Sequence, residues 1–223
     1  VAVVIAIDIA NQSAFTAFNL SMESVSGKAT HQIISNPPGI PDSIFFNLRK
    51  NFALQRSAPI IEKFIKIKGK NSSIFTLIGI DPLYEEPFRN YTSIISKGER
   101  IDLPQFLTIK GAALILESTA KDLGLSLGDK FDIEIDGNTK SLILIGMLKP
   151  ESENQAKLIE NIIITDISNA QEILNYGNFI TRIDLIIEKD DTNSINLINA
   201  QLPKSLRIQK SETRSNTGRQ ITE

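Results

Sequence analysis

The chain lacks cysteine and tryptophan, and it contains one histidine among 223 residues. The absence of cysteine excludes disulfide bonds, thiolate catalysis and thiolate-bound metal, although it does not identify the compartment. One imidazole without any thiolate also excludes a zinc site of the His/Cys type within a single copy of the chain. Aromatic residues make up 6% of the chain, so isoleucine and leucine must supply most of the core.

The chain also lacks an excess of charge of either sign. Its formal net charge is -2, and no run of basic residues is present, which argues against nucleic-acid binding because that function requires a positive surface. With 41% hydrophobic and 22% charged residues, the chain has the composition of a packed globular protein. Its length is enough for one large domain or two small ones.

Motifs for nucleotide binding and for nucleophilic catalysis are absent as well. Neither G-x-x-x-x-G-K-[ST] nor G-x-S-x-G occurs, so we expect neither a phosphate-binding loop nor a nucleophile elbow. The single histidine, His31, lies in a predicted strand without an acidic residue near it in the sequence. A structural hydrogen bond is therefore favoured over a catalytic role for this imidazole.

Three groups of carboxylates are the remaining candidates for catalysis. They are Glu85 with Glu86, Asp190 with Asp191, and the strand residues Asp132, Glu134 and Asp136. Paired carboxylates can act as general acid and base in glycoside hydrolysis, but aromatic residues that would hold a sugar do not accompany them. Alternating charges on a strand usually form its solvated face. The sequence therefore predicts no catalytic, cofactor-binding or metal-binding residue.

The N-terminal segment begins with the run VAVVIAIDIA, in which nine of ten residues are apolar. Apolar residues recur at spacings typical of one helix face at Ile7, Phe15, Phe18, Met22 and Val25. This pattern predicts an amphipathic helix over residues 1–26 that ends at Gly27. The β-branched content of the run leaves a strand as an alternative for its first seven residues. Valine rather than methionine at position 1 indicates a processed or truncated chain.

The rest of the chain shows strand and helix patterns in alternation. Residues 30–67 and 181–210 each predict strand, helix and strand, and a block richer in hairpins separates them. The clearest hairpin runs from Phe131 to Leu148 around an Asp-Gly-Asn turn. Residues 83–110 lack periodicity and predict a connection, and residues 149–160 predict a polar loop. This order predicts an α+β fold, a split sheet with helices on one face and an inserted β-rich block.

Four segments carry a resemblance to a known family, and they keep its order along the chain. They are VAVVIAIDIANQSAFTAFNLSMESVSGKATHQII, LIGIDPLYEEPFR, AALILESTAKDLGLSLGDKFDIEIDG and TRIDLIIE. Together they resemble the extracytoplasmic, MacB-like periplasmic core domain of FtsX-like ABC transporter permeases. The YbbP-like group is the most similar, and MacB and LolC/LolE are relatives.

The resemblance implies a division of the chain into four parts. Residues 1–27 would be the end of the first membrane helix and a stalk helix. Residues 28–82 and 178–210 would form a discontinuous porter-like subdomain, and residues 83–177 an inserted, β-rich, Sabre-like subdomain. Residues 211–223 would begin the return stalk toward the second membrane helix. Ten helical residues rise about 15 Å, half the thickness of the hydrocarbon core, so VAVVIAIDIA cannot span a bilayer alone.

The resemblance also implies a function. The chain would be a non-catalytic domain on the periplasmic or extracellular side of the cell inner membrane, anchored in that membrane in the full-length protein. It would transmit ATP-driven motion to a lipid, lipoprotein or other apolar cargo for export or release. Its partners would be a cytoplasmic ATPase subunit, a second permease protomer, and a periplasmic adaptor or lipidated cargo. Ile7, Phe15, Phe18 and Met22 would form a stalk interface, or they would instead cover the domain's own core. The alternative function is a regulatory module that holds a cell-envelope hydrolase or adaptor.

Overall fold

The structure is a computed structural model that describes residues 28–36, 39–52, 54–69, 74–88, 102–150, 153–189 and 191–211. The helix predicted over residues 1–26 lies outside these ranges. The same is true of the four predicted stalk residues, Ile7, Phe15, Phe18 and Met22. Within the described ranges, none of the helices combines the length and the apolar character needed to cross a membrane.

Strands and helices alternate along the described chain. The strands are β1 (His31–Ser35), β2 (Ile40–Pro41), β3 (Ser57–Ile67), β4 (Ile74–Ile80), β5 (Ala112–Leu116), β6 (Lys130–Ile135), β7 (Asn138–Leu148), β8 (Ile162–Asp166), β9 (Phe179–Ile180), β10 (Arg182–Leu185) and β11 (Leu206–Lys210). The helices are α1 (Asp42–Phe52), α2 (Pro82–Glu85), α3 (Leu103–Thr108), α4 (Glu117–Leu123), α5 (Glu153–Ile159), α6 (Ile167–Leu174) and α7 (Thr192–Gln201).

Nine of these strands form one sheet in the order β11-β1-β10-β3-β4-β8-β5-β7-β6, and β6 also pairs with β3. The second pairing closes β3, β4, β8, β5, β7 and β6 into a ring, which we call the barrel. The remaining strands, β11, β1 and β10, extend from the first half of β3, and we call this part the open sheet. Within the barrel, β4 runs parallel to β8, and β5 runs parallel to β7. Strands β2 and β9 form a separate pair.

The long strand β3 belongs to both parts. Its first residues, Ser57 to Ile60, pair with β10 of the open sheet. Its last residues, Lys66 and Ile67, pair with Glu134 and Ile133 of β6 and so close the barrel. One continuous strand therefore joins the open sheet to the barrel through backbone hydrogen bonds.

Each part has its own apolar core. The barrel interior is filled from the inward-facing positions of its strands, including Ile65, Leu77, Ile115, Ile133 and Leu144, and is sealed by side chains of α4 and α6. A second cluster lies between the open sheet and helices α1 and α7, and it includes Ile33, Ile183, Leu185, Phe45 and Ile198. These positions alternate along the strands because successive side chains point to opposite faces.

The predicted α+β fold is confirmed, and so is the predicted hairpin between β6 and β7. Its turn places Asp136 at φ 49° and Gly137 at φ 81°, the positive values that a two-residue hairpin turn of this type requires. Asp-Gly suits both positions because glycine has no Cβ and aspartate tolerates the left-handed region.

Two predictions about connections are wrong. Residues 83–110 contain most of α2 and all of α3, and residues 149–160 contain α5. Helices α2 and α3 each begin with a proline in the first turn and with an aspartate that accepts a backbone hydrogen bond, Asp81 from Leu83 and Asp102 from Gln105. Helices this short end before an apolar repeat can appear, so local capping identifies them and periodicity does not.

Candidate functional site

The acidic residues of β6 lie on the outside of the barrel. Phe131, Ile133 and Ile135 point into the barrel core, so the alternating Asp132 and Glu134 point away from it. Glu134 is exposed and stands opposite Lys66 of β3. This arrangement agrees with the solvated strand face expected from the sequence.

The other acidic candidates form an ion pair, cap a helix or differ in burial within their pair. Asp136 forms an ion pair with Lys63 at 2.9 Å. Asp191 caps α7 by accepting hydrogen bonds from the backbone N–H and the hydroxyl of Ser194, while Asp190 is outside the described ranges. Glu85 is buried and its neighbour Glu86 is exposed. Among the residues that the structure describes, no group of three His, Asp or Glu side chains is placed to hold a metal ion.

His31 lies near one end of β1, between β10 and β11. The Thr30 hydroxyl lies 3.0 Å from its Nδ1, and Lys210 is its direct neighbour on β11. Burial lowers the pKa of His31 from 6.5, and the nearby positive charge of Lys210 lowers it further. The surroundings are those of a structural imidazole, as the sequence predicts.

A buried charged cluster lies on the face of the open sheet opposite α1 and α7. The Arg182 Nε donates to Asp184 Oδ1 at 2.8 Å, and its Nη1 donates to Glu62 across the β10–β3 pair. The side chains of Arg182 and Asp184 are 5% and 0% exposed. Charges removed from water in this way require partners, so the cluster fixes the register of β10 against β3.

Gln32 extends this polar face to β1. It stands directly opposite Asp184 and is buried, and no described group donates a hydrogen bond to its Oε1. The face thus carries Gln32, Asp184, Arg182 and Glu62 in a row across three strands. The pattern Arg-Ile-Asp in β10 places two charges two residues apart, on one strand face. From this spacing, the Arg182–Asp184 pair could have been predicted from the sequence.

Two aspartates lie at the carboxyl ends of the parallel strands β4 and β8. Asp81 follows β4 and caps α2, and Asp166 ends β8 and caps α6 by accepting from the N–H groups of Ser168 and Asn169. Burial raises the pKa of Asp81, and the charge of Asp166 raises it further. Both carboxylates are therefore engaged in starting helices at one edge of the barrel.

A cavity of about 600 Å³ opens beside the β3–β6 closure. Its lining consists of Ile67, Lys68, Gly69, Leu123, Leu125, Lys130, Phe131 and Asp132. The lining combines apolar residues with two lysines. Its one carboxylate has no second acidic group beside it among the lining residues, so the cavity holds no acid–base pair of the kind that glycoside hydrolysis uses.

The beginning of β1 and the end of β11 lie side by side. The Ser211 N–H donates to the Thr30 carbonyl at 3.0 Å, and the antiparallel register continues from His31 opposite Lys210. The Lys28 N–H donates to the Phe88 carbonyl at 2.9 Å, which ties the segment before β1 to the chain after α2. The described chain therefore enters and leaves the open sheet at the same place.

The combination of a helix-backed open sheet and an inserted closed barrel is the porter-and-Sabre fold of extracytoplasmic transporter domains. The extracellular domain of the noncanonic ABC-type transporter YknZ from Gram-positive bacteria has this fold, with a TM-score of 0.55, 15% identity, and coverage of 81% of the chain and 99% of that domain. The periplasmic region of MacB from Actinobacillus actinomycetemcomitans is similarly related, with a TM-score of 0.54, 16% identity, and coverage of 87% and 94%.

A relative at the sequence level is the uncharacterized ABC transporter permease protein Rv0987 of Mycobacterium tuberculosis (strain ATCC 25618 / H37Rv). The two are 32% identical over 220 residues, which is 99% of the chain and 25% of the relative. The chain thus spans about a quarter of the length of that permease. No family model matches the chain. The resemblance to the extracytoplasmic domains of FtsX-like ABC transporter permeases is confirmed by these comparisons.

Proposed function

We propose that the chain is the extracytoplasmic domain of an ABC transporter permease and that it passes ATP-driven motion from membrane helices to a substrate outside the membrane. The observation that supports this proposal is the adjacency of Thr30 and Ser211; the two proposed stalks would join the domain at this one point of the open sheet. A helix pair attached at a single point can move the domain as one body.

The strand pairing of the open sheet would allow it to transmit such a displacement. Strand β1 has hydrogen-bonded neighbours on both sides, β11 and β10, and β10 is held to β3 by strand pairing and by the Arg182–Glu62 ion pair. Because β3 continues into the barrel, a force applied at Thr30 reaches the barrel through strand hydrogen bonds. Packed elements of this kind transmit displacement as rigid bodies.

The predicted stalks would supply that force. We propose that residues 1–27 are the end of the first membrane helix and its stalk, and that residues 211–223 begin the return stalk. Residues 28–82 and 178–210 would form the porter-like subdomain, and residues 83–177 the inserted one. The shared strand β3 would make the two subdomains move together.

The partners in this proposal follow from the permease class. A cytoplasmic ATPase subunit would supply energy, a second protomer would complete the transporter, and an adaptor or a lipidated cargo would be met outside the inner membrane. The domain itself is proposed to be non-catalytic, because its described acidic residues have structural or solvated positions. In the regulatory alternative, the domain holds a cell-envelope hydrolase and does not pass ATP-driven motion to a transported substrate.

The experiment breaks the proposed stalk. Ala17→Pro and Asn19→Pro are introduced together into the full-length permease assembled with its ATPase, because each proline interrupts helical hydrogen bonding. A spin label at Leu127→Cys, an exposed position in the connection between α4 and β6, reports the distance between protomers with and without ATP. We expect the nucleotide-dependent change in distance to disappear in the double proline variant while ATP hydrolysis persists.

The matched control is Ala17→Ser with Asn19→Ser, which changes the same two positions without removing a backbone N–H group. This variant should retain the nucleotide-dependent change. A double proline variant that still shows the full change, with its local helicity demonstrably lost, would contradict transmission through the stalk. Absence of any change in the unmodified permease would favour the regulatory alternative.

A further inference from the structure

The open sheet ends in a strand that has one described neighbour. At the opposite end of the sheet, β6 returns to β3 and closes the barrel. Strand β11 pairs with β1 only, over His31 to Ser35. Its other side therefore presents backbone donors and acceptors without a strand partner among the described residues, and such an edge is a template for a further strand.

The register identifies the backbone groups that face outward. Ser211 donates to Thr30, and Asn36 donates to Ser205, so every second residue of β11 from Ser205 onward bonds to β1. The alternating residues, Ile208 and Lys210, turn their N–H and C=O groups away from β1. Leu206 also faces outward, but its N–H donates to the Pro203 carbonyl in the preceding turn.

The charge of this edge has one sign. Residues 202–211 contain Lys204, Arg207 and Lys210 and no acidic residue, and all three side chains are exposed. Lys210 lowers the pKa of the neighbouring His31, which is consistent with a positive potential at this end of the edge. Extended segments that carry carboxylates complement such an edge electrostatically.

We propose that β11 is a docking strand for an acidic, extended peptide segment of a partner protein, which adds a further strand to the open sheet. The outward N–H and C=O groups of Ile208 and the outward N–H of Lys210 form the main-chain hydrogen bonds, and the lysines and Arg207 select the acidic side chains. This is strand addition, in which backbone bonds give affinity and side chains give specificity.

Pairing of β11 with the β11 of a second copy is disfavoured by the same charges. Two copies would bring two sets of Lys204, Arg207 and Lys210 to one seam, and like charges across strands are destabilising. Basic residues on an edge are a common device against self-association. The charge that opposes a second copy is the charge that attracts an acidic partner.

The experiment uses the 223-residue chain, labelled with ¹⁵N, and synthetic heptapeptides with blocked ends. The acidic peptide TEVEVET is the probe, the basic peptide TKVKVKT is the charge control, and TEPEPET keeps the acidic charge but cannot form a strand. We expect TEVEVET to slow amide hydrogen exchange at Ile208 and Lys210. Arg207 and Gln209, whose amides already face β1, should change little.

Three variants separate the contribution of the backbone from that of the charge. Lys210→Pro removes an outward N–H without removing a bond to β1, and it should weaken TEVEVET binding by at least about tenfold. Lys210→Ala keeps the N–H and should weaken binding by only about two- to threefold. Arg207→Glu with Lys210→Glu keeps every backbone group and should transfer the preference to TKVKVKT.

Three results would overturn the proposal. Equal binding of TEPEPET and TEVEVET would show that charge alone attracts the peptide. Slowed exchange at sites away from Ile208 and Lys210 would place the peptide elsewhere. A dimer of the unmodified chain in light scattering that dissociates in Lys210→Pro would show that the edge pairs with its own copy. Should Lys210→Pro fail to fold, the charge-exchanged variant decides by itself.

Discussion

The barrel and the open sheet bury their apolar side chains in different ways. The barrel closes on itself through β3 and β6 and fills its interior with aliphatic and aromatic side chains. The open sheet covers one face with α1 and α7, carries a charged cluster on the other, and leaves β11 with a single described neighbour. Closure gives every barrel strand two neighbours, whereas the open sheet ends in β11, which has one neighbour among the described residues.

The two parts are joined through β3, so we expect them to unfold as one cooperative unit. A strand that is hydrogen-bonded in both parts cannot leave one without disturbing the other. The predictions below test whether the polar open sheet or the apolar barrel limits stability, and they run from the largest expected effect to the smallest.

The largest effect is expected from Arg182→Met. The substitution leaves Asp184, which is 0% exposed, without its Arg182 ion pair, and breaking a buried pair on one side costs about 3–5 kcal/mol. Urea unfolding measures the loss, and hydrogen exchange measures whether barrel amides lose protection together with those of the open sheet.

The matched control is Lys110→Met, which breaks the exposed ion pair of Lys110 with Glu172. It should change the free energy of unfolding by less than about 1 kcal/mol. A barrel that keeps its full protection in Arg182→Met would show that the two parts unfold independently, despite the shared strand.

A smaller effect is expected from Gly79→Ala, where α6 packs against β4. A Cβ at this position would lie 2.4 Å from the Ala170 Cβ and 3.2 Å from the Ile61 Cβ. Overpacking of this kind costs about 1–3 kcal/mol, which thermal or urea unfolding can measure.

The companion variant is Ala170→Gly combined with Gly79→Ala, which removes the nearer of the two contacts. The double variant should be more stable than the sum of the two single effects predicts. Strict additivity would mean that the helix moves away from the strand and that the close approach is not required.

The smallest effect concerns the pKa of the single histidine. Lys210→Gln should raise the pKa of His31, because it removes the second cause of the lowering while burial, the first cause, remains. Since the chain has one imidazole, an NMR titration follows it without assignment. Lys204→Gln, on the same edge, is the control and should leave the titration nearly unchanged.

The linked effect on stability has a definite sign. A folded-state pKa below 6.5 means that the unfolded chain binds more protons between the two values, so stability falls as the pH drops from 6.5 through the folded pKa. Lys210→Gln should reduce this loss. A larger loss in the variant would contradict the assigned charge effect.

Local patterns in the sequence were sufficient to predict some elements and insufficient for others. The hairpin of β6 and β7 was predictable because Phe131, Ile133 and Ile135 alternate beside an Asp-Gly turn. The closure of the barrel was not predictable in this way. Lys66 and Glu134 become neighbours only in the folded chain, and the alternation of apolar and polar residues does not show which strand pairs with which. The boundaries predicted at residues 83 and 178 stay predictions.

The same limit applies to the candidate site. The spacing of Arg182 and Asp184 within β10 was visible in the sequence, whereas their neighbour Glu62 lies on a strand more than a hundred residues earlier. The open edge at β11 depends on the sheet order, which local pattern does not determine. The predicted stalk residues lie outside the described ranges, so their role stays a prediction.

The neighbouring positions of Thr30 and Ser211 have a consequence for where such a domain can be inserted in another protein. Paired residues on adjacent antiparallel strands have their Cα atoms about 5 Å apart. Residues 28–211 can therefore be grafted into a short connection of an unrelated protein without separating the two ends of that connection. A domain whose ends meet in this way can be inserted or removed as a unit, because the segments on either side need not move apart.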